Sequence, residues 1–169
     1  VLFLGAGDAS RASRACLGKL AARAVAALVR EAAEIGLAGE ATAEAPLAPL
    51  TTLRVGGPAA CLVRATDLTA LVGWWRLAWT RGLPVLVLGR GSNVVVADQG
   101  VRRLVLLNRC ERWEVERLQD TGRVLAESGV PLSHLARALA RDGWSGIEAG
   151  AGIPGSLGAA VVGNAGAHR

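Results

Sequence analysis

The chain has 169 residues, enough for one domain with a real core or for two small lobes. Its hydrophobic content of 51% is high, but much of that is alanine, and no apolar run approaches the roughly 18 residues of a membrane span. The net charge of +5 comes from 19 basic residues, all arginine except Lys19. They are scattered, with Arg102-Arg103 the one adjacent pair, and few aromatics are present to stack on bases, which argues against nucleic acid and leaves an anionic small ligand compatible.

The chain opens without methionine and contains none, so the sequence is expected to be a piece of a longer protein, and its start does not read as a secretory signal. Residues 1–4 are strand-like and run into Gly5-Ala6-Gly7-Asp8, followed by a helix pattern to about residue 35. The third glycine of a dinucleotide fingerprint is missing, because position 10 is Ser10, so a tight strand-to-helix turn explains this Gly-x-Gly as well as a phosphate does. Residues 1–35 are expected to end a domain, and 36–50, with Pro46 and Pro49, to form a linker. Three widely spaced cysteines, Cys16, Cys61 and Cys110, show no metal pattern and read as buried reduced thiols.

At Thr51 the texture changes. Thr51-Thr52-Leu53-Arg54-Val55-Gly56-Gly57-Pro58 marks a tight backbone feature. A strand is expected at 60–65, then a helix capped by Asp67 and running to residue 80, with Leu68, Leu71, Val72, Trp75 and Trp79 on one face. Strands at 84–88, 94–97 and 103–107 complete a small parallel α/β unit over 51–108. A second unit, 109–169, is expected to hold strands at 113–118 and 122–128. Its helix has Pro131 in the first turn, Leu132, Leu135, Ala136 and Leu139 on one face, and ends at Gly143.

Two glycine-rich segments carry the candidate chemistry. In Leu88-Gly89-Arg90-Gly91-Ser92-Asn93, glycines permit positive φ and close backbone approach, so that successive N–H groups can converge on an anion; a tight turn between strands is the competing reading. The second segment is Gly150-Ala151-Gly152-Ile153-Pro154-Gly155-Ser156-Leu157-Gly158, followed by Asn164-Ala165-Gly166-Ala167. Its small residues let an extended ligand lie against the backbone, and Ile153, Leu157, Val161 and Val162 argue against a solvated linker. A Gly-Lys-Ser/Thr element is absent, so this is not nucleotide-hydrolysing chemistry. His134 and His168 read as structural or solvated, Glu148 as a group able to orient backbone amides, and no catalytic triad or carboxylate pair can be assembled.

Three segments, in order, resemble the UDP-N-acetylenolpyruvoylglucosamine reductase (MurB) family over about residues 50–168: the Thr51–Ala59 signature, the Gly89–Asn93 loop, and Gly146-Ile147-Glu148 with the glycine segment after it. The resemblance implies an α/β (α+β) FAD-binding fold of the PCMH/vanillyl-alcohol-oxidase type in two lobes, truncated and without its substrate domain. It also implies that Gly89, Gly91, Ser92 and Asn93 hold the FAD pyrophosphate. Gly152, Ile153, Pro154, Gly155, Ser156 and Gly158, with Asn164 and Gly166, would line the rest of the cofactor. The family passes a hydride from NADPH through the flavin to a UDP-sugar enolpyruvyl ether, in the cytoplasm, for peptidoglycan synthesis. Its catalytic residues are expected downstream of Arg169, so none is assigned here and this stretch alone is expected to be inactive. Residues 1–20 resemble the last strand and helix of the UDP-N-acetylmuramate–alanine ligase (MurC) family, which implies a fused ligase domain. Another FAD-dependent oxidase of the same fold and a non-catalytic nucleotide-binding module are the alternatives.

Overall fold

A computed structural model describes residues 9–166, with side chains from Gly18 onward; the expected strand at 1–4, Gly5–Gly7 and His168 lie outside the described residues. The long helix α1 (Ala9–Glu34) leads into β1 (Glu40–Pro46), β2 (Pro58–Ala65), α2 (Leu68–Thr80), β3 (Val85–Leu88) and β4 (Val101–Asn108). These build the first lobe, a four-stranded sheet in the order β1-β2-β4-β3. β2, β4 and β3 are parallel, while β1 runs antiparallel along β2. The second lobe is the antiparallel hairpin β5 (Trp113–Leu118) and β6 (Thr121–Ala126) with α3 (Leu132–Arg141) and the short α4 (Leu157–Val162).

The apolar run of β4 explains its central place. Leu104 and Leu106 face α1 and α2 in a core with Val25, Leu28, Ala32, Val63 and Trp74. Val105 and Leu107 face the opposite side, against Leu47, Ala59, Leu88 and Val96. A strand buried on both faces reads as continuous rather than alternating hydrophobicity, as parallel strands do. The second lobe has its own smaller core of Val130, Leu135 and Leu139, packed by Trp113, Trp144 and Leu157. No helix of the described residues is long and apolar enough to cross a membrane.

Four expectations are corrected. Residues 40–46 are not linker but an edge strand, paired with β2 from Glu40↔Arg64 to Pro46↔Pro58. The alanines and glutamates of β1 gave little apolar signal because an edge strand buries little. The end of α1 likewise belongs to the first lobe, since Val25, Leu28 and Ala32 are core residues. Residues 94–97 form no strand. They are an extended segment pinned by Gly57 N–H on Ala97 O (2.9 Å), with Val96 buried under Gly56, so the backbone of the Gly56-Gly57 pair serves in place of a ladder partner.

The fourth correction concerns α2. Asp67 caps it as expected, accepting from Ala70 N at 2.8 Å. Yet the buried face is Ala70, Trp74 and Ala78, and Trp75 and Trp79 stack on each other in solvent. Two alanines one turn either side of Trp74 let the helix approach the sheet closely enough for the indole to bury completely. Close approach outweighed the larger apolar total of the other face.

Candidate functional site

The three parallel strands end on one side of the sheet at Ala65, Leu88 and Asn108, the edge where open α/β sheets bind ligands. The first glycine loop leaves β3 there. Gly91 has φ +65 and lies against the Leu50–Thr51 backbone, and its carbonyl accepts from Thr52 N at 3.0 Å. The Thr51–Pro58 signature is thus explained as a backbone dock: Thr51 is buried, its hydroxyl donates to Ala48 O, and Gly56 and Gly57 press on Val96 and Asp98.

The second segment reaches the first. A methyl group on Gly89 would stand 2.5 Å from Ser156 Oγ, and one on Gly155 would stand 3.0 Å from Ser92 Oγ. Gly155 and Ser156 are held by an antiparallel bridge at Pro131, with Leu132 N donating to Gly155 O and Leu157 N to Val130 O. The N–H of Gly158 donates to Ser128 O at 2.8 Å. Gly89, Ser92, Gly155 and Ser156 therefore meet at one place.

The donors at this junction are the decisive feature. Among the described residues, the backbone N–H groups of Gly91, Ser92, Asn93, Gly155 and Ser156 have no protein acceptor, although Gly91 and Ser156 are buried. Backbone N–H groups without a protein acceptor, gathered where two glycine loops meet, are donors available to an anion. A Cβ at Gly89 would displace the Ser156 hydroxyl, and at Gly155 the backbone φ of +114 favours glycine.

Other expected site residues lie farther out. Gly152, Pro154, Asn164 and Gly166 are exposed, and Ile153 is half-buried. Asn164 adopts φ +46, and no atom crowds Gly152 or Gly166. Val161 and Val162, taken from sequence as evidence of burial, are exposed; α4 packs on the second core through Leu157. Glu148 accepts from Gly146 N at 2.9 Å, and its own and Gly146's backbone N–H groups hold its carboxyl below the usual range. His134 is exposed on α3.

Sequence reasoning missed two residues at the end of β4. Asn108 is buried, donating from Nδ2 to Ser128 Oγ at 2.8 Å and accepting on Oδ1 from Cys110 N at 3.1 Å. Arg109 donates from Nη1 to Gly89 O at 2.8 Å. An asparagine closing an apolar strand looks like turn punctuation, so only the fold reveals its partners. A hollow of about 840 Å³, lined in part by Leu68, Trp113, Leu125 and Ser128, includes the partner of Asn108 but none of the glycine-loop residues.

Next to Asn108, Cys110 is buried, and burial, then the nearby Glu127 and Asp67 carboxylates, push its thiol up to about 11. A thiol near its ordinary value of 9.0 in the unfolded chain loses its proton first in that state as pH rises. Stability contributed by the neutral buried thiol is therefore complete below pH 9 and lost on the way to about 11. The urea midpoint is expected to fall across that window and to fall less in Cys110→Ala; an equal fall in both would show that Cys110 is not responsible.

The FAD binding domain family matches residues 59–169. A UDP-N-acetylenolpyruvoylglucosamine reductase of Synechococcus sp. (strain JA-3-3Ab) is 48% identical over 134 residues, covering 78% of this chain and 42% of that protein. The enzyme of the same name from Anaeromyxobacter sp. (strain Fw109-5) is 45% identical over 128 residues, covering 76% and 40%. The crystal structure of UDP-N-acetylenolpyruvylglucosamine reductase (MurB) from Thermus caldophilus superposes with a TM-score of 0.56 at 32% identity, covering 78% of this chain and 44% of that one. The chain thus spans less than half the length of the reductases it matches. With its glycine loops meeting at the carboxyl edge of a mixed α/β lobe and this family spanning both lobes, the chain belongs to the FAD binding domain family.

Proposed function

We propose that this chain is the flavin-holding front part of an NADPH-dependent reductase that converts UDP-GlcNAc-enolpyruvate to UDP-N-acetylmuramate for peptidoglycan synthesis in the cytoplasm. The observation that carries the reading is the set of acceptor-free amides where the two glycine loops meet. In this reading the N–H groups of Gly91, Ser92 and Asn93 face the FAD pyrophosphate from one side. Those of Gly155 and Ser156 face it from the other, and Gly89 leaves the space between open. Gly152, Ile153, Pro154 and Gly158, with Asn164 and Gly166, would follow the cofactor towards its isoalloxazine. Bound FAD would supply the hydride chemistry. The chain's own contribution is to bind, orient and exclude water, and no residue of it is assigned as proton donor.

The ligase resemblance of residues 1–20 supports a fused ligase module ahead of this lobe. It extends no further along α1, because Val25, Leu28 and Ala32 are core residues of the flavin lobe.

The full-length gene product is expected to purify with bound, non-covalent FAD and to oxidise NADPH only when the enolpyruvyl sugar nucleotide is added. A colourless protein that takes up no added FAD would overturn the reading. Flavin that stays attached after denaturation, or turnover on alcohols with oxygen, would move the protein to a different branch of the same fold.

A further inference from the structure

The two walls of the cradle belong to different lobes, and both are tied to one dipeptide. Asn108 and Arg109 close β4, the central strand of the first lobe. Asn108 Nδ2 reaches across to Ser128 Oγ, while its Oδ1 holds Cys110 N. Ser128 O in turn holds the N–H of Gly158 in the second glycine segment. Gly129 lets this crossing close, because a Cβ there would sit 2.7 Å from Asn108 Oδ1 and 2.6 Å from Cys110 O. Arg109 reaches the other wall, donating to Gly89 O of the first loop and to Asn108 O. The Gly89 carbonyl is so engaged, while the N–H groups of Gly91, Ser92 and Asn93 have no protein acceptor among the described residues.

We propose that Asn108 and Arg109 are positioning residues that set the spacing between the two glycine loops, Asn108 through Ser128 and Arg109 through Gly89. The inference rests on the flavin reading for its ligand. Arg109 lies in a crowded positive environment: burial, then the Arg90 guanidinium, lower its pKa, and Glu111 offsets part of this. It nevertheless remains charged at neutral pH. A guanidinium there adds positive potential beside the cradle as well as holding the loop.

The test is a fluorescence titration of FAD onto the apo form of the full-length gene product, with the urea midpoint recorded for each variant. Asn108→Ala and Ser128→Ala are each expected to raise the FAD Kd about three- to ten-fold, the loss of one buried hydrogen bond. The double variant is expected to be no worse than either single one, because both remove the same link. Arg109→Ala should raise Kd further, and Arg109→Gln, which keeps a donor for Gly89 O, should recover part of it. Val25→Ala, in the α1 core away from the loops, controls for general destabilisation: it should lower the urea midpoint and leave Kd unchanged.

Unchanged Kd in the Asn108 and Ser128 variants, or a Val25→Ala effect of equal size, would overturn the proposal. Amide exchange at Gly158 in the apoprotein reads the same link without flavin and should speed up in Asn108→Ala. If wild-type protein binds no FAD but this exchange responds, the flavin reading falls and the link stands; if FAD binds and neither quantity responds, the link falls.

Discussion

Gly91→Ala is expected to cost the first lobe on the order of 3 kcal/mol and to weaken FAD binding at least about tenfold. Two separate effects add. Gly91 sits at φ +65, where an L-residue is strained by about 1 kcal/mol. Its Cβ would also press into the carbonyl oxygen of Leu50 and lie 3.0 Å from Thr51 Cα, both backbone atoms that cannot rotate away. The loop must then lift off the Thr51–Pro58 dock and carry the free amides of Ser92 and Asn93 with it. Gly82 offers a matched control, with φ +64 and nothing within 4 Å of where a Cβ would stand. Gly82→Ala should show the backbone strain alone and leave FAD affinity intact. Equal urea midpoints for the two variants would show that the contact with Leu50 is not what matters.

The largest stability loss should come from Trp74→Ala, about 4 kcal/mol by urea denaturation of the apoprotein. Trp74 is 2% exposed, the bulkiest fully buried side chain, in contact with the α1 and β4 residues that close the first core. Its Nε1 donates to Ala38 O at 2.8 Å, fixing the turn between α1 and β1, and Gly39 admits the ring where a Cβ would stand 2.9 Å from that nitrogen. Trp74→Phe keeps much of the volume but loses the hydrogen bond to the exposed Ala38 carbonyl, so about 1 kcal/mol is expected. Trp79→Ala, 70% exposed, should change little. A larger loss at Trp79 than at Trp74 would restore the face of α2 expected from sequence.

What was legible in the sequence were features whose cause is local. Gly89, Gly91, Gly155 and Gly158 announced tight backbone, and the structure gives each a specific neighbour: backbone for Gly91, Ser128 for Gly158, and a serine hydroxyl for Gly89 and Gly155. The cap at Asp67 and the amphipathic α3 were legible for the same reason. The burial of Trp74 over Trp75 was not, because it depends on how small Ala70 and Ala78 are towards a sheet that sequence periodicity cannot see. Nor was β1, whose pairing with β2 is a property of both strands. Asn108 shows the limit most clearly: its partner Ser128 is 20 residues away in another lobe, and no spacing rule connects the two.

The strand order β1-β2-β4-β3 also dictates a timetable for synthesis. Among the described residues β3 pairs with β4 alone, so residues 85–88 leave the ribosome before that partner exists. Until residues 101–108 emerge, the sheet consists of the β1–β2 ribbon alone, and the nascent lobe cannot close. Closure of the sheet therefore comes first, and the Asn108 crossing must wait for Ser128, 20 residues further along the chain.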